Sequence, residues 1–220
     1  MVQNELNIIV CIKTVIYNVS KTHLNCSKAL SNFNSSNYAA LECGFRLRGE
    51  FGGRVDVLSI GPLSSVKVMR EALAMGADRA VLLSDPALAD SNALNIIKAL
   101  SAAIRSMAPY DLVLFSTHKG DSASDQIGLQ TARMLDLPLI SGVEHIMLRP
   151  NELRGYRSAN GRMTETFETR FPVALTIHPH MFKVRDKELM GITAAFEDLE
   201  VDVYSLADLD LEAKSIRTHH

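Results

Sequence analysis

Short apolar runs alternate along the chain with longer stretches in which apolar residues recur every three or four positions. Runs of Val, Ile and Leu are typical of strands buried on both faces, and the longer period is typical of helices. Such alternation predicts successive strand–helix units, and therefore a three-layer α/β fold with a parallel sheet between helices. The strands are expected at residues 7–12, 55–59, 80–83, 112–116 and 137–140.

Capping residues precede the helical stretches. Their side-chain oxygens can accept hydrogen bonds from the free N–H groups of a first helical turn. Gly76 follows one stretch, where a helix end favours a left-handed residue. The candidate caps are Ser35 or Ser36, Ser64 or Ser65, Asp90 with Ser91, and Ser124.

The pattern changes after about residue 142, where short alternating segments replace the long apolar runs. Residues 143–148 and 173–177 are separated by a polar stretch that contains Gly155 and Gly161. Alternation of this kind is typical of antiparallel strands with one solvated face. We expect a small antiparallel addition to the main sheet.

The end of the chain has little apolar content of its own. Residues 189–196 have helical spacing and residues 200–204 are strand-like. We expect one α/β domain over residues 1–195, followed by a C-terminal tail over 196–220 that serves as an interaction segment.

Charge and composition argue against two classes of function. The 220-residue chain has 23 basic and 25 acidic side chains and no Trp, so it offers no basic excess to a nucleic-acid backbone. No apolar run reaches the roughly 18 residues that span a bilayer. Three cysteines, at positions 11, 26 and 43, are odd in number and form no Cys-x-x-Cys pair, which favours a reducing, cytoplasmic setting.

The loop after the fourth predicted strand, residues 117–128, is the best candidate for a ligand site. Open parallel sheets bind ligands beyond the carboxyl ends of their strands. Gly120 and the small residues after it would let backbone N–H groups converge on a phosphate at a helix start. Asp121, Asp125 and Gln126 could read a ribose or an adenine edge. A polar loop before an N-capped helix explains the same residues, and both interpretations stay open.

Other chemistries have weaker support. The chain has no Gly-x-Gly-x-x-Gly fingerprint and no Gly-Lys-Ser/Thr phosphate loop. Cys11 and His118 could be drawn as a nucleophile and its base, but no third orienting group is visible. His178 and His180 have no neighbouring ligands in sequence that would complete a metal shell. We predict neither a catalytic residue nor a metal site.

Several segments resemble the β subunit of electron transfer flavoproteins. They are residues 8–13 (IIVCIK), 55–62 (VDVLSIGP) and 70–80 (REALAMGADRA), and the resemblance extends to residue 209. Residues 34–42 (NSSNYAALE) are similar to the family's Asn-Pro-Phe-Asp-Glu-Tyr-Ala-Leu-Glu segment. The resemblance implies an adenine nucleotide hydrolase-like, Rossmann-type fold.

The candidate loop resembles the family's nucleotide motif, Asp-Gly-Asp-Thr-Gly-Gln-Val-Gly, which reads DSASDQIG at residues 121–128. In that family the pocket holds AMP, or a second FAD in the electron-bifurcating branch. The cofactor-binding residues that the resemblance implies are Cys11, Asn34, Ser35, Ser36, Asn37, Ile60, His118, Lys119, Gly120, Asp121, Ser122, Ala123, Ser124, Asp125, Gln126, Ile127 and Gly128.

Several of these positions depart from the family pattern, and three of the departures affect the expected chemistry. Ala123 replaces an acidic residue, Asp125 replaces a Gly, and Ser35 replaces the usual Pro. A carboxylate at Asp125 opposes a phosphate unless it points away or meets a cation. The departures indicate a divergent branch of the family.

The resemblance also implies partners. An electron transfer flavoprotein α subunit would share FAD with this chain and contact its C-terminal tail, residues 196–220. A donor dehydrogenase would dock through the recognition segment 182–195, with Leu189 as its anchor and Met190 beside it. Because electron transfer needs cofactor distance and potential, the chain would be a carrier subunit and no enzyme.

Two other classes of protein have a related fold. A stand-alone universal-stress-type protein that binds an adenine nucleotide would have a similar sheet, but its Gly-x-x-Gly phosphate loop is not found. An ATP pyrophosphatase would need a Ser-Gly-Gly-x-Asp-Ser loop after the first strand, where residues 13–15 read Lys-Thr-Val.

Overall fold

The computed structural model of the chain describes residues 5–13, 35–89, 91–116, 122–149, 152–159, 163–179, 181–182 and 200–211. These residues form strands, helices and short 3-10 turns in the alternating order that the sequence predicts. The strands are β1 Leu6–Cys11, β2 Gly53–Ile60, β3 Arg79–Leu83, β4 Leu112–Ser116, β5 Leu139–Val143, β6 His145–Arg149, β7 Glu152–Ala159, β8 Met163–Arg170, β9 Val173–Ile177 and β10 Val201–Tyr204. The helices are α1 Ser35–Phe51, α2 Val66–Ala74, α3 Ala93–Ser106 and α4 Ser122–Met134.

Seven of these strands form one parallel sheet in the order β10-β3-β2-β1-β4-β9-β5. Alternate side chains of each strand enter two separate cores. Ile8 and Val10 of β1 pack in the core under α1 and α2, and Ile9 and Cys11 pack in the core under α3 and α4. The predicted three-layer α/β fold is therefore confirmed.

The direction of winding reverses between β1 and β4. The chain steps from β1 to β2 and β3 on one side, and then returns to place β4 on the other side of β1. In open α/β sheets such a reversal leaves a crevice beyond the carboxyl ends of the two strands, where ligands bind. Of the residues that follow β1 and β4, 14–34 and 117–121 lie outside the described ranges.

The predicted antiparallel addition is confirmed for one part of the chain and wrong for another. Strands β6, β7 and β8 form a three-stranded antiparallel sheet. Residues 173–177, however, form β9, which lies parallel between β4 and β5 in the main sheet. All five residues of β9 are buried, as is usual for a strand covered on both faces.

The described part of the predicted tail is built into the main sheet. Strand β10 pairs in parallel with β3 and forms one edge of the sheet. After it, Leu206 is buried in the core under α3, and its N–H donates to Asp85 Oδ2 at 3.2 Å. The predicted helix at residues 189–196 and the end of the tail, 212–220, lie outside the described residues.

The helix ends are close to those expected. Gly76 follows α2 with a φ of 109°, as the expected helix end requires. Helix α1 begins at Ser35 and α4 at Ser122. Helix α3 has a different cap from the one expected, because Asn92 Oδ1 accepts from the N–H of Asn95 at 3.0 Å.

Aspartates tie the amino edge of the sheet. Asp111 Oδ2 accepts the N–H of Asn7 at 2.8 Å, which joins β1 to the residue before β4. Asp78 Oδ2 accepts the N–H of Val55 at 2.7 Å and also meets the Arg48 guanidinium at 2.6 Å. These bonds satisfy backbone donors that would otherwise be unpaired where the strands begin.

A substitution at Gly53 would test how closely β2 approaches β1 at this position. The φ of this glycine is 98°, and a Cβ there would overlap the backbone of Leu6 in β1. We expect Gly53→Ala to lower the free energy of unfolding by more than about 2 kcal/mol, because neither backbone can move without breaking the ladder. Gly49→Ala is the matched control. A Cβ at Gly49 meets nothing within 4 Å, so this change should raise stability by about 0.5 to 1 kcal/mol. Denaturant titration would measure both, and a well-tolerated Gly53→Ala would contradict the β1–β2 pairing.

Asp56 gives a pH-dependent prediction. Burial raises the pKa of this carboxyl, and the nearby Arg54 and Arg79 oppose that rise only in part. Its Oδ2 lies 2.6 Å from the Arg54 guanidinium, and no described group bonds its Oδ1. A raised pKa in the folded state means that the charged form costs stability, and this cost grows as pH rises above about 4.

We therefore expect Asp56→Asn to be more stable than the parent protein at pH 7 and equal to it below about pH 4. Melting temperatures measured from pH 3 to pH 8 would test this. A variant that is less stable at pH 7 would mean that attraction to the arginines outweighs the cost of burial.

Candidate functional site

Two helices begin at the carboxyl edge where β1 and β4 diverge, one on each face of the sheet. Helix α1 follows β1 and packs on the first core, and α4 follows β4 and packs on the second. The first-turn N–H groups of a helix have no partner within it and carry a partial positive charge. The arrangement can therefore receive an anion, such as a phosphate, from either face of the crevice.

The carboxamide of Asn37, in the first turn of α1, spans this crevice on one face. Its Oδ1 accepts from the backbone N–H of Lys13 at 3.2 Å and from the hydroxyl of Ser116 at 2.8 Å. Its Nδ2 donates to the carbonyl of Lys13 at 2.8 Å. Lys13 follows β1 and Ser116 ends β4, so one side chain joins α1 to both diverging strands.

The chain that leaves β1 is held on its other side by β2. The N–H of Ile12 donates to the carbonyl of Leu58 at 3.0 Å, and the hydroxyl of Ser59 donates to the carbonyl of Ile12 at 2.9 Å. Residues 12 and 13 therefore keep a defined backbone position up to the start of the loop.

Close packing holds α4 on the opposite face. A Cβ at Gly128 would lie 3.1 Å from Cγ of Phe115, which is tighter than ordinary van der Waals contact. The absence of a side chain at Gly128 lets the helix approach β4. Phe115 pairs in register with Cys11, so α4 reaches the same strand ends that Asn37 joins from the other face.

Cys11 lies beside the crevice but does not have the properties of a nucleophile. Its side chain is buried in the core under α3 and α4, and burial raises the pKa of the thiol. The thiolate, which is the reactive form, is therefore disfavoured at neutral pH. Ile60, at the end of β2, is partly buried against the same core.

The structure brings together only some of the predicted site residues. Asn37, Cys11 and the strand ends meet at one edge, with Gly128 behind them. The backbone of residues 35–36 and 122–125 is helical, and their side chains are not described. The predicted residues that lie outside the described ranges are Asn34, His118, Lys119, Gly120, Asp121, Leu189 and Met190.

Sequence reasoning missed Ser116, Ser59 and the backbone of Lys13 as parts of this edge. A signal was present in the sequence, because both serines are polar residues at the ends of buried strands. Only the tertiary structure shows that each hydroxyl bonds a neighbouring segment of the crevice.

The described start of the predicted recognition segment packs on α1. The Arg46 guanidinium lies 4.6 Å from the ring centroid of Phe182 and is held by Glu42 at 2.7 Å. A cation over an aromatic face is an attractive contact. Within the described residues, no three potential metal-ligating side chains come together, and no described helix is long and apolar enough to cross a membrane.

Comparison with known proteins agrees with this geometry. Residues 25–204 match the family model of the electron transfer flavoprotein domain. The chain belongs to the electron transfer flavoprotein family. It is 34% identical to electron transfer flavoprotein subunit beta of Thermoanaerobacterium thermosaccharolyticum over 218 residues, which are 96% of this chain and 83% of the relative.

Two further relatives have more specific names. Caffeyl-CoA reductase-Etf complex subunit CarD of Acetobacterium woodii is 30% identical, over 84% of this chain and 70% of the relative. Protein FixA of Azorhizobium caulinodans is 29% identical, over 94% of this chain and 78% of the relative. The predicted resemblance is confirmed, and an electron-carrying β subunit is supported over the universal-stress-type alternative.

A substitution at Gly128 would test how tightly α4 packs against Phe115 of β4. We expect Gly128→Ala to lower the free energy of unfolding by about 1 to 3 kcal/mol, because the added methyl group must displace Phe115 or α4. Leu129→Ala, at an exposed neighbouring position of the same helix, should change stability by less than about 0.5 kcal/mol. Denaturant titration of both variants gives the comparison, and equal effects would argue against tight packing at Gly128.

Proposed function

We propose that the carboxyl edge of β1 and β4 binds the adenylate part of a nucleotide, in a β subunit that carries electrons through FAD together with an α subunit. The observation that carries this proposal is the winding reversal between β1 and β4, with α1 and α4 beginning on opposite faces beyond these strands and the Asn37 side chain joining α1 to both strand ends. AMP and FAD share the adenylate group, so the same contacts suit either ligand. Backbone N–H groups at the start of α4 would receive the phosphate.

Family membership supports the rest of the assignment. Flavin is the cofactor of electron transfer flavoproteins, and a relative named subunit beta implies an α partner. We propose that the α subunit holds most of the FAD and that this chain supplies one wall of the flavin site. The chain then acts as a carrier subunit, because electrons pass between cofactors without a protein acid, base or nucleophile.

The donor dehydrogenase would dock through residues 182–195, with Leu189 as an apolar anchor and Met190 beside it. The contact of Phe182 with Arg46 supports this proposal by fixing the first residue of the segment against α1. The C-terminal tail and the cytoplasmic setting stay predictions from the sequence, as does the role of Asp125 in opposing a phosphate.

The first test of the proposed function is the ligand content of the assembled protein. The chain would be coexpressed with its α subunit, purified and denatured, and the released FAD and AMP counted per heterodimer by chromatography. We expect one FAD together with one further adenylate-containing molecule. AMP as the second molecule would indicate a simple electron carrier, and FAD would indicate a second flavin at the β1–β4 edge. A chain that binds neither a partner nor a flavin would overturn the proposal.

A further inference from the structure

The carboxamide of Asn37 makes the contacts of a short strand at the place where β1 and β4 separate. A backbone peptide presents one acceptor and one donor to its neighbour, and the Asn37 amide presents the same pair to Lys13. The second lone pair of its Oδ1 receives the Ser116 hydroxyl. The last pair of β1 and β4 is Cys11 with Phe115. Beyond it, the one amide group of Asn37 hydrogen-bonds to the segments that continue from both strands.

Burial makes these bonds difficult to replace. Asn37 is 1% exposed, so almost none of its surface is left for a ligand. A buried donor or acceptor that loses its partner pays the full cost of desolvation. Leucine has a similar shape and offers no hydrogen bond, so it would leave both backbone groups of Lys13 and the Ser116 hydroxyl without this partner.

We infer that Asn37 is a positioning residue for the nucleotide pocket, whose side chain acts through Lys13 and Ser116 and does not itself contact the nucleotide. It sets the distance between the ends of β1 and β4 and holds the first turn of α1 against both. The segments that follow β1 and β4 then begin at fixed positions. This inference rests on the proposed function, since it assigns the role of one residue at the same edge.

The protein contains a matched control for this inference. Asp111 joins the same two strands at the opposite, amino edge, where its Oδ2 accepts the N–H of Asn7 at 2.8 Å. Asp111→Ala loosens the β1–β4 pair far from the crevice. A variant that acts only through general stability should resemble it.

The test compares variants of the heterodimer formed with the α subunit. Each heterodimer is dialysed free of exchangeable nucleotide and titrated with AMP and, separately, with FAD, and bound nucleotide is counted by chromatography. We expect Asn37→Leu to weaken AMP binding about tenfold or more, and Ser116→Ala to weaken it about threefold. Ser116→Thr keeps the hydroxyl and should bind as the parent protein does. Asp111→Ala should lower the melting temperature and leave AMP affinity within about twofold.

Four results would overturn the inference, and they are distinguishable. Parent-like affinity in Asn37→Leu and Ser116→Ala would show that the contacts do not shape the pocket. An equal loss in Asp111→Ala would show a general effect of stability. If Asn37→Leu does not assemble, Ser116→Ala and Ser116→Thr still decide, and equal affinity in these two would count against the inference. A parent heterodimer that carries flavin but binds no second nucleotide would instead overturn the proposed pocket, and this inference with it.

Discussion

The separation of two neighbouring parallel strands is the constraint on which this structure depends. Beyond the last pair of β1 and β4, Cys11 with Phe115, the two strands no longer pair with each other. Buried polar groups at such a place need other hydrogen bonds. Asn37 supplies them to Lys13 and Ser116 from the first turn of α1. The ends of β1 and β4 therefore keep defined positions relative to the first turn of α1.

The two edges of the sheet are stabilised in different ways, and the difference matches their roles. At the amino edge, Asp111 and Asp78 accept backbone N–H groups and close the sheet. At the carboxyl ends of β1, β2 and β4, the neutral side chains of Asn37, Ser59 and Ser116 form the hydrogen bonds, whereas Asp85, after β3, accepts a backbone N–H. The first turn of α1 contains no acidic residue, so the positive end of that helix favours an anionic ligand. An electron carrier needs this kind of fixed cofactor position more than it needs reactive side chains.

Much of the fold could be predicted because strands buried on both faces leave long apolar runs in the sequence. The first four strands appear close to their expected places, and the fifth is shifted to Leu139–Val143. The prediction that residues 173–177 belong to the antiparallel addition is wrong, although their mostly apolar run is typical of a central strand. Their position between polar, alternating segments concealed this, since local pattern does not reveal which strands become neighbours. At the site, Asn37 and Gly128 were found through family resemblance, whereas Ser59 and Ser116 were not found.

The sequence alone determined the α/β class and the likeness to electron transfer flavoprotein β subunits, and it predicted the edge of the sheet where a ligand is expected. These follow from burial, which selects residue types locally, and from motifs that lie within single segments. The order of the seven strands, the place of β9 and the hydrogen bonds of Asn37 were decided only by the tertiary structure. Residues 13, 37 and 116 are far apart in the chain, and their hydrogen bonds exist only after β1, α1 and β4 have packed together. Periodicity records which residues are buried, but it does not record which partners they meet.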